Sequence, residues 1–452
     1  MAQMQSQPRS SCKLVGGSLG DRYGRRKIFG TGIALFALAS IGCGAAASIQ
    51  QLIVARAIQG IGGALLTPGS LAIITSSFDK ESRGKAIGTW SGFSAILAGF
   101  GPVLGGWLID HASWRWAFWI NAPLAVIALV ILFLKVPESR DEEDRGNLDW
   151  PGASLATLGL GLLVYGLIET SNANVSALAC ALTIILGALA LMAFTLVEAR
   201  SKSPMMPLAL FRSKTFAGAN LLTLFLYSAL AGALFFLPFN LIQVQAYTTT
   251  EAGSAFVPFI VILFVLSRWA GGLVAKYGAK KPLVLGPMIV GVGFLLFTLP
   301  TVGQSYWTSF FPAVVVLGVG MAISVAPLTT AVMGAVPQQH SGLASGINNA
   351  VSRVSSLIAV AIFGVLIFHS FATSMNTRTA ELHLTPQVKD SIEHHTADLA
   401  AMPLPNDLDA NTHQEVKKAV RDSFVTGFRF VMFVAAALAF ASSIVAWKMI
   451  ES

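Results

Sequence analysis

Of the 452 residues, 54% are hydrophobic and only 12% charged, and the mean hydropathy is +0.68. This is too apolar and too poor in charge for a water-soluble globular chain, so the composition describes a polytopic membrane protein. The formal net charge of +8 sits in short loops beside apolar runs, where it reports orientation in the bilayer and argues against a nucleic-acid partner. Three cysteines, Cys12, Cys43 and Cys180, are far apart and two lie in apolar segments, which indicates neither a disulfide framework nor a metal site.

Residues 1–13 are polar and lack the apolar core of a signal peptide. The next stretch, GGSLGDRYGRRK at residues 16–27, packs one acid, four bases and four glycines between apolar runs. Leu14 to Leu19 reads as the tail of an apolar helix, Gly24 supplies a turn, and Ile28 begins a long apolar run. The stretch is therefore expected to be a tight loop between membrane helices. Its bases, Arg22, Arg25, Arg26 and Lys27, place it in the cytoplasm by the positive-inside bias. Asp21 among these arginines can form charge-assisted, bidentate hydrogen bonds that clamp neighbouring helix ends. A basic anchor that only sets topology is the plainer alternative.

A bilayer crossing needs about 20 apolar residues, and twelve such spans are predicted, at 28–47, 51–75, 85–109, 117–135, 152–170, 177–198, 216–240, 252–274, 283–300, 306–328, 342–368 and 424–447. Loop charge supports the count. Lys80, Arg83 and Lys85, then Lys135, Arg140 and Arg145, then Arg200, Lys202, Arg212 and Lys214, then Lys276, Lys280 and Lys281 fall in alternate loops, and intervening loops such as 48–50, 171–176, 243–250 and 301–305 carry no base. The C-terminus, with Lys448, is expected in the cytoplasm.

An internal repeat organises these spans. GGLVAKYGAKK at residues 271–281 aligns on the first loop, pairing Gly17 with Gly271, Leu19 with Leu273, Tyr23 with Tyr277, Gly24 with Gly278, Arg26 with Lys280 and Lys27 with Lys281. Gly84, Ala86 and Gly88 pair with Gly342, Ala344 and Gly346 at nearly the same offset. Parallel halves of this kind are a transporter signature. Ala275 stands where the first copy has Asp21, so an acid-dependent latch belongs to the first half. At this offset the spans at 216–240 and 252–274 have no complete first-half counterparts, and a first helix and most of a second are expected to be missing.

Several polar or unusual residues sit within the spans. Arg56 lies about five residues into its span beside Gln59 and Gly60; buried arginine in a membrane is expensive and is a functional hypothesis by default, with a snorkelling interfacial arginine as the alternative. Gly99, Gly101, Pro102, Gly105 and Gly106 combine small residues that allow close helix approach with a proline that can kink the helix, which suits a hinge or simple packing. Arg353 lies deeper in its span, preceded by Asn348 and Asn349, and is expected to face a cavity or another helix. Asn220, Asn240 and Gln243 are candidate cargo contacts, or interhelical hydrogen bonders. Glu169 and the cluster Trp114, Trp116 and Trp119 with Arg115 read as outer-interface residues. The segment 374–421 reads as a long extracytoplasmic loop in which Thr412 and Glu415 have capping-box spacing, so a helix is expected to lead into the last span. Its histidines, His383, His394, His395 and His413, fit no ligand spacing and read as a solvated linker.

Gly17, Leu19, Asp21, Arg22, Gly24, Arg25 and Arg26 resemble the G-x-L-x-D-R-x-G-R-R/K loop motif of the major facilitator superfamily, which in that family lies between the second and third helices and latches the outward-facing state. Arg56 and Gln59 resemble its R-x-x-Q-G motif, implicated in proton coupling. Gly101, Pro102, Gly105 and Gly106 resemble its exporter motif, with Ala95 in place of the first glycine. The number and grouping of spans resemble the fourteen-span drug:proton antiporters. The resemblance implies an all-α major facilitator fold: a polar N-terminus (1–13), the remaining N-terminal half (14–136), a linker with a two-helix insertion (137–200), and a six-helix C-terminal half (201–452) with an extracytoplasmic loop at 372–423. It implies a multi-pass, monomeric transporter of the cytoplasmic membrane with a small-molecule substrate, protons and the lipid bilayer as partners. No enzyme activity, cofactor or metal is implied. A gating loop, a proton-coupling pair, an exporter hinge and a cavity with Asn220, Asn240, Asn348 and Arg353 are the expected site. A truncated non-transporting remnant, or an exporter of a lipid or metabolite, are the alternative expectations.

Overall fold

The computed structural model describes residues 23–77, 100–139, 149–170, 175–201, 204, 206–337, 341–380, 382, 384–385, 388, 392, 395–403 and 410–451. Among these residues there is helix and no strand. In hydrocarbon every backbone polar group needs an internal partner, and an apolar helix meets that requirement within one segment.

In chain order the helices are α1 (Arg25–Ala45), α2 (Ile49–Ser77), α3 (100–111), α4 (Asn121–Lys135), α5 (Trp150–Glu169), α6 (Ala177–Arg200), α7 (Lys214–Phe239), α8 (Val257–Tyr277), α9 (Lys280–Leu296), α10 (Phe311–Gly334), α11 (Ser341–Ala380) and α12 (Ala410–Met449). Ten helical segments among the described residues are long and apolar enough to cross a membrane. Helix α9, with 17 residues, spans about 26 Å, slightly under the hydrocarbon thickness. The span expected at 85–109 is described only from residue 100.

The chain divides into two compact units, residues 1–154 with 195–207, and residues 155–194 with 208–452. In the first unit α1 packs on α2 and α4, around Ile33, Ala37, Ala125 and Leu132. Gly62 makes the α1 contact close: a Cβ there would lie 2.6 Å from the Phe36 backbone nitrogen. Small residues of this kind are how helices approach in lipid, where no hydrophobic force drives them together. In the second unit α9 and α10 meet by the same device, with a Cβ on Gly320 falling 2.6 Å from Val290 N. Phe216, Phe294, Phe310, Phe363, Phe371 and Phe424 fill its interior.

The outer loop differs from expectation. Residues 372–380, expected as loop, are helical, and the helix expected to lead into the last span begins at Ala410, so α11 and α12 each run 40 residues, about 60 Å and twice the hydrocarbon core. The apolar window that ends a predicted span marks where lipid ends; packing carries the helices on, since Phe371, Met375, Val416, Val420 and Phe424 are all buried. Arg378 pairs with Asp422 across the two helices at 3.5 Å. Helix α12 starts at Ala410, so Thr412 is inside the helix and is not its N-cap. A true capping box occurs instead at Thr248, whose hydroxyl accepts from Glu251 N while the Glu251 carboxylate accepts from Thr248 N. The turn Tyr306–Ser309 precedes α10, so that span begins five residues later than predicted.

Candidate functional site

Of the gating loop, Gly17, Leu19, Asp21 and Arg22 lie outside the described residues, and with them the expected acid clamp. Its C-terminal part is described and is tied to the end of α4. Arg25 N donates to Ser139 O (2.9 Å); Arg26 N donates to Glu138 Oε1 (3.0 Å) and Arg26 Nη1 to Val136 O (3.1 Å). The Arg26 Nε to Glu138 Oε2 distance is 3.8 Å, an ion pair without a hydrogen bond, and the guanidinium lies 5.7 Å from the Phe133 ring centre. Gly24 is required twice over. Its φ of 106° is a region that L side chains avoid, and a Cβ would sit 2.7 Å from Glu138 Oε1. The second copy of the loop repeats the backbone, with Gly278 at φ 72°. Glu138 escaped the sequence reading; the signal was an acid directly after an apolar span, in VPES.

In α2, Arg56 Nη1 donates to Gln59 Oε1 at 2.6 Å. The same oxygen is the acceptor for Cys43 Sγ of α1, 3.9 Å away. Gln59 is 2% exposed and Cys43 fully buried, whereas Arg56 itself is exposed. The Arg56 guanidinium lies 5.8 Å from the centre of the Phe118 ring. The carbonyl of Phe118 in turn accepts from Ser40 Oγ (2.9 Å) and Asn121 Nδ2 (3.1 Å). Among the described residues Arg56 makes no ion pair with a carboxylate. Its charge is held by an amide and an aromatic face.

Gly101, Pro102 and Gly105 lie on α3, and a Cβ on Gly101 or Gly105 would meet nothing within 4 Å. Gly106 is buried. Trp114 and Trp116 are exposed as an interfacial belt requires. Trp119 departs from that expectation: its indole is where a Cβ on Gly44 of α1 would fall, because the small residue opens a slot that the turn before α4 fills.

In the second unit, Asn220 and Asn348 come together. Asn348 Nδ2 donates to Asn220 Oδ1 (3.2 Å) and Thr223 Oγ1 (2.6 Å), linking α11 to α7; Asn220 Nδ2 donates to Phe216 O (2.9 Å). Asn220 and Thr223 are buried, so the interhelical alternative describes this pair. Asn240 sits apart in a π-helical turn, Asn240–Val244, where its Oδ1 accepts from Gln245 Nε2 at 3.4 Å. Gln245 also ties down the loop before Tyr306 through Thr301 O (3.0 Å) and Gly303 N (2.8 Å). Arg353 is exposed on α11 and is not joined to either group.

The profile of the Major Facilitator Superfamily matches residues 10–360. The chain is 30% identical over 446 residues to "Multidrug resistance protein Stp" of Mycobacterium tuberculosis (strain CDC 1551 / Oshkosh), covering 95% of this chain and 81% of that protein. It is 29% identical over 440 residues to "Tetracenomycin C resistance and export protein" of Streptomyces glaucescens, covering 96% and 81%. Among solved structures, a bacterial homolog to human lysosomal transporter Spinster, inward-facing and unoccupied, superposes with a TM-score of 0.60 at 17% identity, over 98% of this chain and 90% of that one; at this identity the likeness speaks for the fold. With ten membrane-length helices among its described residues and a profile match over most of its length, the chain belongs to the Major Facilitator Superfamily, a family of membrane transporters and not of enzymes.

Proposed function

We propose that this chain is an exporter of the cytoplasmic membrane that moves small amphipathic compounds outward in exchange for protons, by alternating access of its two halves. The observation that carries the reading is the Arg56–Gln59 pair: a cation inside a membrane-length helix, bonded at 2.6 Å to a buried neutral amide. Such a cation is costly in a membrane and is retained where it serves ion or proton movement. The drug-resistance and export names of the relatives support efflux as the direction. The loop at Gly24, Arg25 and Arg26 acts as a gate through its attachment to Glu138, and the glycines and proline of α3 act as a hinge. The C-terminus lies in the cytoplasm, and the transporter works as a monomer.

The test uses proteoliposomes of the whole chain under an imposed pH gradient, with an amphipathic cationic dye and an internal pH indicator followed together. Dye movement that discharges the gradient is expected, and Arg56→Ala or Asp21→Asn is expected to abolish it. Dye movement that leaves the gradient intact would remove the proton from the mechanism, and full activity in either variant would remove that residue.

A further inference from the structure

We infer that the corner between α8 and α9 holds the headgroup of an anionic phospholipid, whose acyl chain lies along an apolar strip of α8. The proposal goes beyond the transport reading and is independent of the cargo.

Three lysines crowd this corner. Lys276 is in the last turn of α8, and Lys280 and Lys281 open α9, on either side of the Gly278 turn. Among the described residues none of the three makes an ion pair. Two of them lie close to one aromatic ring: Lys276 Nζ is 5.2 Å and Lys281 Nζ 6.0 Å from the centre of Tyr277. In the equivalent loop of the first half Arg26 has an acid within the protein, meeting Glu138 at 3.0 Å through its N–H and at 3.8 Å through its side chain. The second copy has Ala275 where the first has Asp21. The first turn of α9 adds to the imbalance, because it bears two cations and no side-chain cap, and cations beside a helix N-terminus are unfavourable. The corner is short of negative charge.

The chemistry of the neighbouring surface selects a lipid over a free anion. Val261, Val265, Trp269, Gly272 and Lys276 follow one another at intervals of four, four, three and four residues, which places them on one face of α8. Val261, Val265 and Trp269 are all more than half exposed, and a Cβ on Gly272 would meet nothing within 4 Å. From Val261 to Gly272 this strip is about 16 Å long, half of a hydrocarbon core of about 30 Å and so the depth of one leaflet. It ends at the lysines and at Tyr277, also exposed, where an aromatic ring belongs at headgroup level. An apolar track one leaflet deep that terminates in three unpaired ammonium groups matches a phospholipid with net negative charge, held in the leaflet that faces the basic loops.

The experiment titrates the purified full chain, in neutral detergent, with phosphatidylglycerol or phosphatidylcholine of the same acyl chains, and counts retained lipid by native mass spectrometry. Selective retention of phosphatidylglycerol is expected. At about fivefold per lysine, the triple change Lys276→Gln, Lys280→Gln and Lys281→Gln should weaken it on the order of a hundredfold, while Lys417→Gln with Lys418→Gln, on the exposed face of α12, should leave it unchanged. Gly272→Leu keeps every lysine and enters open space, so it preserves the fold while obstructing the strip, and a several-fold loss is expected. Equal retention of the two lipids, or full retention in the triple variant, would overturn the site. Full retention in Gly272→Leu, or displacement by glycerol phosphate as readily as by intact phosphatidylglycerol, would overturn the lipid assignment in favour of a plain anion site.

Discussion

The backbone N–H of Arg26 donates to the carboxylate of Glu138 across 112 positions of sequence, at 3.0 Å. This joins the start of α1 to the end of α4 and makes one acid responsible for the shape of the basic loop. Glu138→Ala leaves the Arg26 N–H without its acceptor, and the guanidinium without its counter-ion, in a partly buried place, which costs about 1–3 kcal/mol. A thermal-unfolding midpoint several degrees lower is expected in detergent, with Glu138→Gln, which retains an acceptor oxygen, falling between the two. A midpoint unchanged in Glu138→Ala would show that the contact contributes nothing.

Gly24 and Gly303 separate two costs of replacing glycine. Both have positive φ, 106° and 82°. At Gly303 a Cβ meets nothing within 4 Å, while at Gly24 it meets Glu138 Oε1 at 2.7 Å. Gly303→Ala should therefore cost only backbone strain, about 1–2 kcal/mol, and Gly24→Ala should cost more and also release the loop. Limited proteolysis of the loop at residues 22–27 in both variants checks this; equal cleavage would refute the role given to Glu138.

Asn348 serves two acceptors at once, Asn220 Oδ1 and Thr223 Oγ1. Asn348→Ala and Asn220→Ala should each lower stability by about 1–3 kcal/mol, and the double variant should cost less than their sum, with a coupling of roughly 0.5–3 kcal/mol. Strict additivity, together with a change in cargo affinity in Asn220→Ala alone, would return Asn220 to the cavity.

Tyr306 precedes α10, outside its membrane-length segment, and donates its hydroxyl proton to Ala255 O at 2.8 Å. Burial, followed by the neighbouring Tyr247, pushes its pKa up to about 12. An unfolded tyrosine loses its proton near pH 10, so the folded protein holds this proton more tightly than the unfolded chain. The stabilisation is complete below pH 10 and is lost as the pH rises from 10 to about 12. Across that window the midpoint of the native protein should fall more steeply than that of Tyr306→Phe. Parallel curves would mean that the phenol titrates normally.

Much of this was legible in the chain itself. Eleven of the twelve apolar runs correspond in order to described helices, and the run at 85–109 is described only from residue 100; a helix in lipid announces itself by length and composition. The repeated loops were legible from Gly24 and Gly278, and the structure gives both the left-handed backbone that explains why glycine recurs there. The end of α11 was not legible, since hydropathy marks the edge of the hydrocarbon while the helix continues on packing between Phe371, Met375, Val416 and Val420; the helix leading into α12 was legible from Thr412 and Glu415, though it begins earlier, at Ala410. Glu138 was missed because an acid after a span looks like any solvated end until the turn at Gly24 is folded against it.

Sequence by itself determined the solvent, the places of the apolar runs, the repeat and the kinds of residue placed in the membrane, because each depends on local composition and spacing. Tertiary structure alone decided the partners. It gave Arg56 an amide and Phe118, paired Asn220 with Asn348 across two helices, joined Asn240 to Gln245, and paired Arg26 of one loop copy with Glu138 while leaving the lysines of the other without an ion pair among the described residues. These outcomes depend on which helix faces meet, and that is settled by close approaches such as Gly62 against Phe36 and Gly320 against Val290, where packing in lipid acts through shape and not through hydropathy.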